Sequence, residues 1–137
     1  MSSNEPGFNV PTDLLYTKNH EWVKFEDGTA TVGITDYAQN QLGDITYVEL
    51  PEKGDSFKKD AVLGTVDSLK TVAEIYAPVT GEITEVNEDL PNEAENVNEK
   101  PYEAGWMVRI DMDSEAELDE LLQPDAYLKL ISKLSKK

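Results

Sequence analysis

Apolar residues in the first third of the chain fall in short, β-rich pieces. Glu21-Trp22-Val23-Lys24-Phe25 and Thr29-Ala30-Thr31-Val32-Gly33-Ile34 flank Asp27-Gly28, and two such runs around an Asp-Gly step predict a β-hairpin. Thr35 to Leu42 has no β-branched residue in its middle, opens on a Thr and is followed by Gly43, which predicts a short helix near residues 35–42. A strand is expected from Asp44 to Leu50, stopped by Pro51. The pattern changes near the C-terminus. Ser114 and Glu117 have capping-box spacing ahead of Leu118, Leu121 and Leu122, predicting a helix near 115–122. Pro124 opens another near 125–134, with Tyr127, Leu128, Ile131 and Leu134 on one face. Both are read as packing helices laid against a β core.

One pattern repeats. Gly43-Asp44-Ile45-Thr46-Tyr47-Val48 and Gly81-Glu82-Ile83-Thr84-Glu85-Val86 agree in four of six positions at an offset of 38, and each is followed by Leu-Pro, at Leu50-Pro51 and Leu90-Pro91. Two such units predict a compact β barrel or flattened sandwich of two related halves, closing its sheet so that no edge is left exposed. Residues 1–12, with Ser, Asn, Gly and two Pro, are expected to be a flexible lead-in, and 13–137 one domain.

Composition narrows the function. The chain has 137 residues, and its 12 Lys plus Arg against 28 Asp plus Glu give a formal charge of −16. Nucleic-acid binding is excluded, because phosphate neutralisation needs clustered cations. A chain of this length buries roughly two thirds of its unfolded surface, enough for a real core. It has no Cys, hence no disulfide, thiolate metal site or cysteine nucleophile. No apolar run reaches membrane-spanning length and no targeting segment is seen, so a soluble cytoplasmic protein is expected, or a mitochondrial matrix one if the chain is a processed eukaryotic product.

The candidate chemistry lies on a second hairpin. Ala61-Val62-Leu63-Gly64-Thr65-Val66-Asp67 turns through Ser68-Leu69-Lys70 and returns as Thr71-Val72-Ala73-Glu74-Ile75-Tyr76-Ala77-Pro78. Lys70, at or beside the tip, is the only cation between Lys59 and Lys100. A solvated turn lysine is one reading. The other is a modification site: an exposed primary amine on a rigid projection can be acylated, and the attached group then swings clear of its anchor.

The residues around Lys70 resemble the glycine cleavage H-protein family. Val66-Asp67-Ser68-Leu69-Lys70-Thr71 with Ile75-Tyr76-Ala77-Pro78-Val79-Thr80-Gly81-Glu82-Ile83 is similar to that family's lipoyl-lysine hairpin. The likeness continues through Tyr16-Thr17-Lys18-Asn19-His20-Glu21-Trp22-Val23, Val32-Gly33-Ile34-Thr35-Asp36-Tyr37-Ala38-Gln39, Leu42-Gly43-Asp44, Val48-Glu49-Leu50-Pro51, Pro101-Tyr102 and Gly105-Trp106-Met107, over roughly residues 14 to 128. Where the family usually reads Glu-Ser-Val-Lys-Ala, this chain has Asp67-Ser68-Leu69-Lys70-Thr71, which keeps the acid but shortens it by one methylene. Pro91 to Asn98 departs further from the usual pattern.

The resemblance implies a barrel-sandwich hybrid of the lipoyl- and biotinyl-carrier kind, and a non-enzymatic carrier. It places lipoate in amide linkage on Lys70, with Asp67, Ser68, Leu69 and Thr71 as the hairpin features a lipoate ligase or octanoyltransferase recognises. The arm would take an aminomethyl group at glycine decarboxylase, deliver it at aminomethyltransferase and be reoxidised at dihydrolipoyl dehydrogenase. Glu21, with His20 beside it, matches the family block at the arm cleft, where a carboxylate meets the amine. A monomer is expected. A lipoyl or octanoyl relay role remains as an alternative.

Other readings stay beside it. Biotin carriers have Met on both sides of the lysine, where this chain has Leu69 and Thr71; an unmodified binding barrel is a further class. A hydrolase built on His20 and Glu21 meets two objections. Consecutive residues of an extended strand point to opposite faces, and neither a second His nor a glycine-framed serine completes a nucleophilic set. No metal is expected, since His20 stands alone and no calcium-loop spacing occurs.

Overall fold

The computed structural model describes residues 8–135, so residues 1–7 of the expected lead-in lie outside the described residues. The strands are β1 (Leu15–Tyr16), β2 (Glu21–Glu26), β3 (Thr29–Ile34), β4 (Ile45–Glu49), β5 (Ser56–Phe57), β6 (Val62–Ser68), β7 (Val72–Tyr76), β8 (Gly81–Val86) and β9 (Val108–Met112). The helices are α1 (Asp36–Leu42), α2 (Glu95–Glu99) and α3 (Pro124–Ser135). All pairings are antiparallel. A six-stranded sheet has the order β1-β2-β3-β9-β8-β5, and a three-stranded sheet the order β4-β6-β7.

The first hairpin turns at Asp27 and Gly28, whose φ angles of 50° and 82° give the left-handed step that matches strand twist. Inward side chains of both sheets form one core, with Val23, Val32, Ile83, Val108 and Ile110 meeting Val48, Leu63, Val66 and Ile75. A second cluster, Leu14, Tyr16, Trp22, Tyr37, Tyr127 and Ile131, joins the start of the domain to α1 and α3. Phe8 packs edge-on against Tyr37 with centroids 5.1 Å apart, and the Asn9 N–H donates to Asp36 at 2.9 Å. The described end of the lead-in is therefore fastened to the domain.

The two repeats fall in different sheets, β4 in the small one and β8 in the large one. The expected sheet closure does not occur. The small sheet ends at β7, where the outward N–H of Tyr76 is taken at 2.9 Å by the carboxylate of Glu21 and not by another strand. The repeated glycines also differ. Gly43 has φ 83° and ends α1, whereas a Cβ at Gly81 would run into the carbonyl oxygen of Asp111 across the sheet.

The helix near 35–42 forms as α1, with Thr35 Oγ1 accepting the Ala38 N–H at 3.2 Å. The one expected near 115–122 is corrected. Ser114 caps only a 3-10 turn, Glu115–Glu120, and Glu117 does not reach back to complete the capping box. Its carboxylate accepts instead from the N–H and hydroxyl of Thr80, at 2.6 and 2.7 Å. Leu121 enters the main core, and Leu122 bridges to Tyr16 in extended form. The helix near 125–134 forms as α3, burying Tyr127 and Ile131, but Leu134 stays 39% exposed. Among the described residues no helix is long and apolar enough to cross a membrane, and no three His, Asp or Glu side chains converge as a metal site requires.

Candidate functional site

Lys70 sits in a four-residue turn whose ends close through the Ser68 N–H donating to the Thr71 carbonyl at 2.8 Å. The non-glycine residues with positive φ among those described are His20, Asp27 and Asp60, so Leu69 and Lys70 do not form the left-handed turn that two-residue hairpin tips favour. Ser68 stabilises the alternative: its Oγ accepts the N–H groups of Lys70 and Thr71, at 3.3 and 3.1 Å. Outside the turn, the Leu69 N–H donates to the Asp44 carbonyl at 3.2 Å. Lys70 and Thr71 are exposed, Asp67 and Ser68 half-buried, and Leu69 is 77% exposed. The Lys70 ammonium makes no ion pair among the described residues. Its Cε lies 3.7 Å from where a Cβ on Gly43 would be, so the side chain runs over the end of α1.

Next to that helix end is a cleft of about 260 Å³. One wall is α1, through Tyr37, Ala38, Gln41 and Leu42; the other is the hairpin, through Val66, Ala73, Glu74 and Ile75. His20 and Glu21 both line it. Strand alternation does not separate them, because His20 precedes β2 with φ 72°. A tight turn makes this geometry, with the Thr17 N–H donating to the Glu21 carbonyl at 2.9 Å and the His20 N–H to the Thr17 carbonyl at 3.1 Å.

Glu21 is 1% exposed. Its carboxylate accepts from the Thr17 hydroxyl at 2.7 Å and from the Tyr76 N–H at 2.9 Å. Burial pushes its pKa up from an ordinary 4.5 to about 6, with the two hydrogen bonds opposing. At neutral pH it is therefore a buried anion, and no cation forms an ion pair with it among the described residues. The cleft thus combines apolar walls with a negative charge that has no ion-pair partner among the described residues, Lys59 acting on it only through space, which suits an apolar chain ending in an amine.

Several supporting residues escaped the sequence reading. Tyr37 and Gln41 are one helical turn apart on a single face of α1, a spacing that could have marked them as a wall. Asn98 had no comparable signal. Its side chain accepts the Ile45 N–H at 2.8 Å and donates to the Gly43 carbonyl at 2.9 Å. It thereby fixes the turn on which the hairpin tip leans.

Two sheets around one core, a lysine-tipped hairpin and an adjoining cleft define a lipoyl-carrier-like barrel-sandwich protein. A solved glycine cleavage system H protein from Mycobacterium marinum superposes with a TM-score of 0.80 at 35% identity, covering 86% of this chain and 95% of that one. The family model for the glycine cleavage H-protein matches residues 14–134, and the chain belongs to that family. Curated glycine cleavage system H proteins are similar over most of the chain. That of Staphylococcus epidermidis is 53% identical over 122 residues, 89% of this chain and 97% of its own length. That of Oceanobacillus iheyensis is 55% identical over 119 residues, 87% and 94% respectively.

Proposed function

We propose that Lys70 carries lipoate in amide linkage and that the cleft at Glu21 shelters the arm's amine-bearing end between partner enzymes. When bound, the dithiolane supplies a sulfur that can take up the aminomethyl group of glycine and a dithiol that can be reoxidised. The chain's own residues attach, orient and exclude water. The Ser68-anchored turn presents the Lys70 amine to a lipoate ligase or octanoyltransferase. The Lys70 side chain over Gly43 starts the arm toward α1, and Leu42, Val66, Ala73 and Ile75 offer it apolar walls. Glu21 provides the charge for a methylammonium group, in an apolar setting that strengthens the hydrogen bond and keeps water away.

The observation that carries this reading is the pairing of a tip lysine and a buried carboxylate that each form no ion pair among the described residues. In this role the protein is a monomeric, cytoplasmic carrier that catalyses nothing itself. Its partners are glycine decarboxylase, aminomethyltransferase and dihydrolipoyl dehydrogenase. Peptide mapping after treatment with lipoate ligase tests the attachment. Lipoate is expected on Lys70 alone and absent from Lys70→Arg, whose guanidinium replaces the amine that is acylated. Lipoate on another lysine, or on the Arg variant, would overturn it.

A further inference from the structure

The C-terminal helix reaches the cleft through a chain of side chains. The Tyr127 hydroxyl lies 2.9 Å from His20 Nδ1 and 2.6 Å from Thr35 Oγ1, and Thr35 Oγ1 already accepts the Ala38 N–H. The direction of the protons follows from what each group can still do. Thr35 is fully buried, and among the described residues its hydroxyl proton has no acceptor except the Tyr127 oxygen. Donating it there leaves the Tyr127 O–H aimed at Nδ1, which must then be the unprotonated ring nitrogen. The reverse direction would leave a buried hydroxyl proton unpaired. Nε2 then bears the ring proton and is the nitrogen not engaged by Tyr127, on a residue that lines the cleft where Tyr127 does not.

His20 is held there from several directions. Its backbone carbonyl accepts the Thr35 N–H at 3.0 Å, and its ring packs against Tyr37 with centroids 4.9 Å apart. A non-glycine residue persists at φ 72° only where its surroundings fix it. The titratable groups around the ring are Glu21 and Glu74 along the cleft, Tyr37 on α1 and Tyr127 on α3. A doubly protonated His20 would put a cation in the cleft that Glu21 also lines and so compete with any amine brought in from outside.

We propose that Tyr127 is a positioning residue of the cleft: its hydroxyl proton, donated to Nδ1, keeps His20 neutral with Nε2–H toward the cleft, and so keeps Glu21 open to an incoming ammonium group. Burial pushes the His20 pKa down, in the same direction. The amine part of this inference rests on the function proposed above; the tautomer does not.

His20 is the only histidine in the chain, so long-range proton–nitrogen correlation spectra of the unmodified protein report its tautomer directly. The expected spectrum shows Nε2 protonated and Nδ1 bare. Tyr127→Phe keeps the ring, which stacks on Tyr16 with centroids 4.6 Å apart, and removes only the hydroxyl. It is expected to raise the His20 titration midpoint by about one pH unit, the size of one hydrogen bond to the neutral form. In lipoylated protein charged with the amine, release should set in at correspondingly higher pH. A wild-type His20 protonated on Nδ1 overturns the proposal even if Tyr127→Phe fails to fold. So does a folded variant whose midpoint or amine retention is unmoved. Failure of Lys70 to take lipoate would instead overturn the functional reading and leave the tautomer result standing.

Discussion

The hairpin tip and the cleft share the β6–β7 strand pair and obey opposite rules. At the tip, Leu69 and Val72 are 77% and 62% exposed, and order comes from backbone groups bonded to Ser68 and Asp44. In the cleft, Glu21 is buried with a donor on each carboxylate oxygen, between walls from α1 and the hairpin. Attachment requires access by another protein's active site, whereas retention requires that water be kept out. A charged hydrogen bond contributes little in water and more when desolvated. One hairpin serves both ends by exposing its turn and burying one side of its legs.

The largest expected effect is on retention. Glu21→Ala removes the carboxylate that we propose faces the amine, and losing a charged hydrogen bond of about 1.5 to 3 kcal/mol should speed spontaneous loss of the amine from charged, lipoylated protein by about 10-fold to 150-fold. Leu69→Ala at the tip should leave that decay unchanged while altering ligase kinetics. Decay rates of the two purified variants measure the contrast. Equal rates in Glu21→Ala and wild type would show that Glu21 does not guard the arm, and faster decay in Leu69→Ala would erase the division of labour.

Stability gives the next contrast. Because the folded-state pKa of Glu21 is raised, to about 6 from 4.5, the folded protein holds a proton between those values that the unfolded chain has already lost. Stability from this group is therefore fully present below about pH 4.5 and declines as pH rises through about 6, by roughly 2 kcal/mol in all. Other carboxylates titrate nearby, so the difference between wild type and Glu21→Gln isolates the effect. Denaturant unfolding across this range should show the variant gaining on wild type as pH rises. A constant difference would mean that Glu21 titrates normally.

A smaller effect concerns approach of the tip to its partners. The charge of −16 would steer the proposed carrier toward any basic docking surface on its partners, by attraction screened over about 8 Å at physiological ionic strength. Transfer from glycine decarboxylase should slow several-fold as salt rises, while decay of the sheltered amine stays flat. A salt-independent apparent Michaelis constant would assign the charge to solubility alone.

How much of this was legible in the sequence follows from the range of the interactions. The Asp27-Gly28 hairpin, α1 between Thr35 and Gly43, and the tip at Ser68-Leu69-Lys70 rest on local signals and stand as read. The second helix start misled because Glu117, at the right spacing for a capping box, is drawn to Thr80 on the other side of the chain. Sheet closure misled because the two repeats enter separate sheets, and the edge N–H of Tyr76 meets the Glu21 carboxylate and not another strand. The pairing of His20 with Glu21 in one cleft was hidden by a single left-handed residue. Asn98, 53 residues from Ile45, could not have been connected to it by pattern alone. Long-range side-chain to backbone bonds leave no period in the sequence, and they build most of the site.

The smallest expected effect tests whether tip and cleft are independent at all. Ser68 Oγ accepts the N–H groups of Lys70 and Thr71. In Ser68→Ala those amides turn to water, which at this half-buried turn position changes global stability by no more than about 0.5 kcal/mol. Locally, the loss of a hydrogen bond near 1 kcal/mol should speed amide exchange at Lys70 and Thr71 by roughly fivefold. The Tyr76 amide, held by Glu21 at the far end of the same strand, should exchange as in wild type, because opening the turn leaves the β6–β7 register and the cleft wall intact. Residue-resolved hydrogen exchange reads both ends in one experiment. Quickening of Tyr76 by the same factor would show that the hairpin opens as a single unit, and that a perturbation at the attachment point reaches the shelter directly.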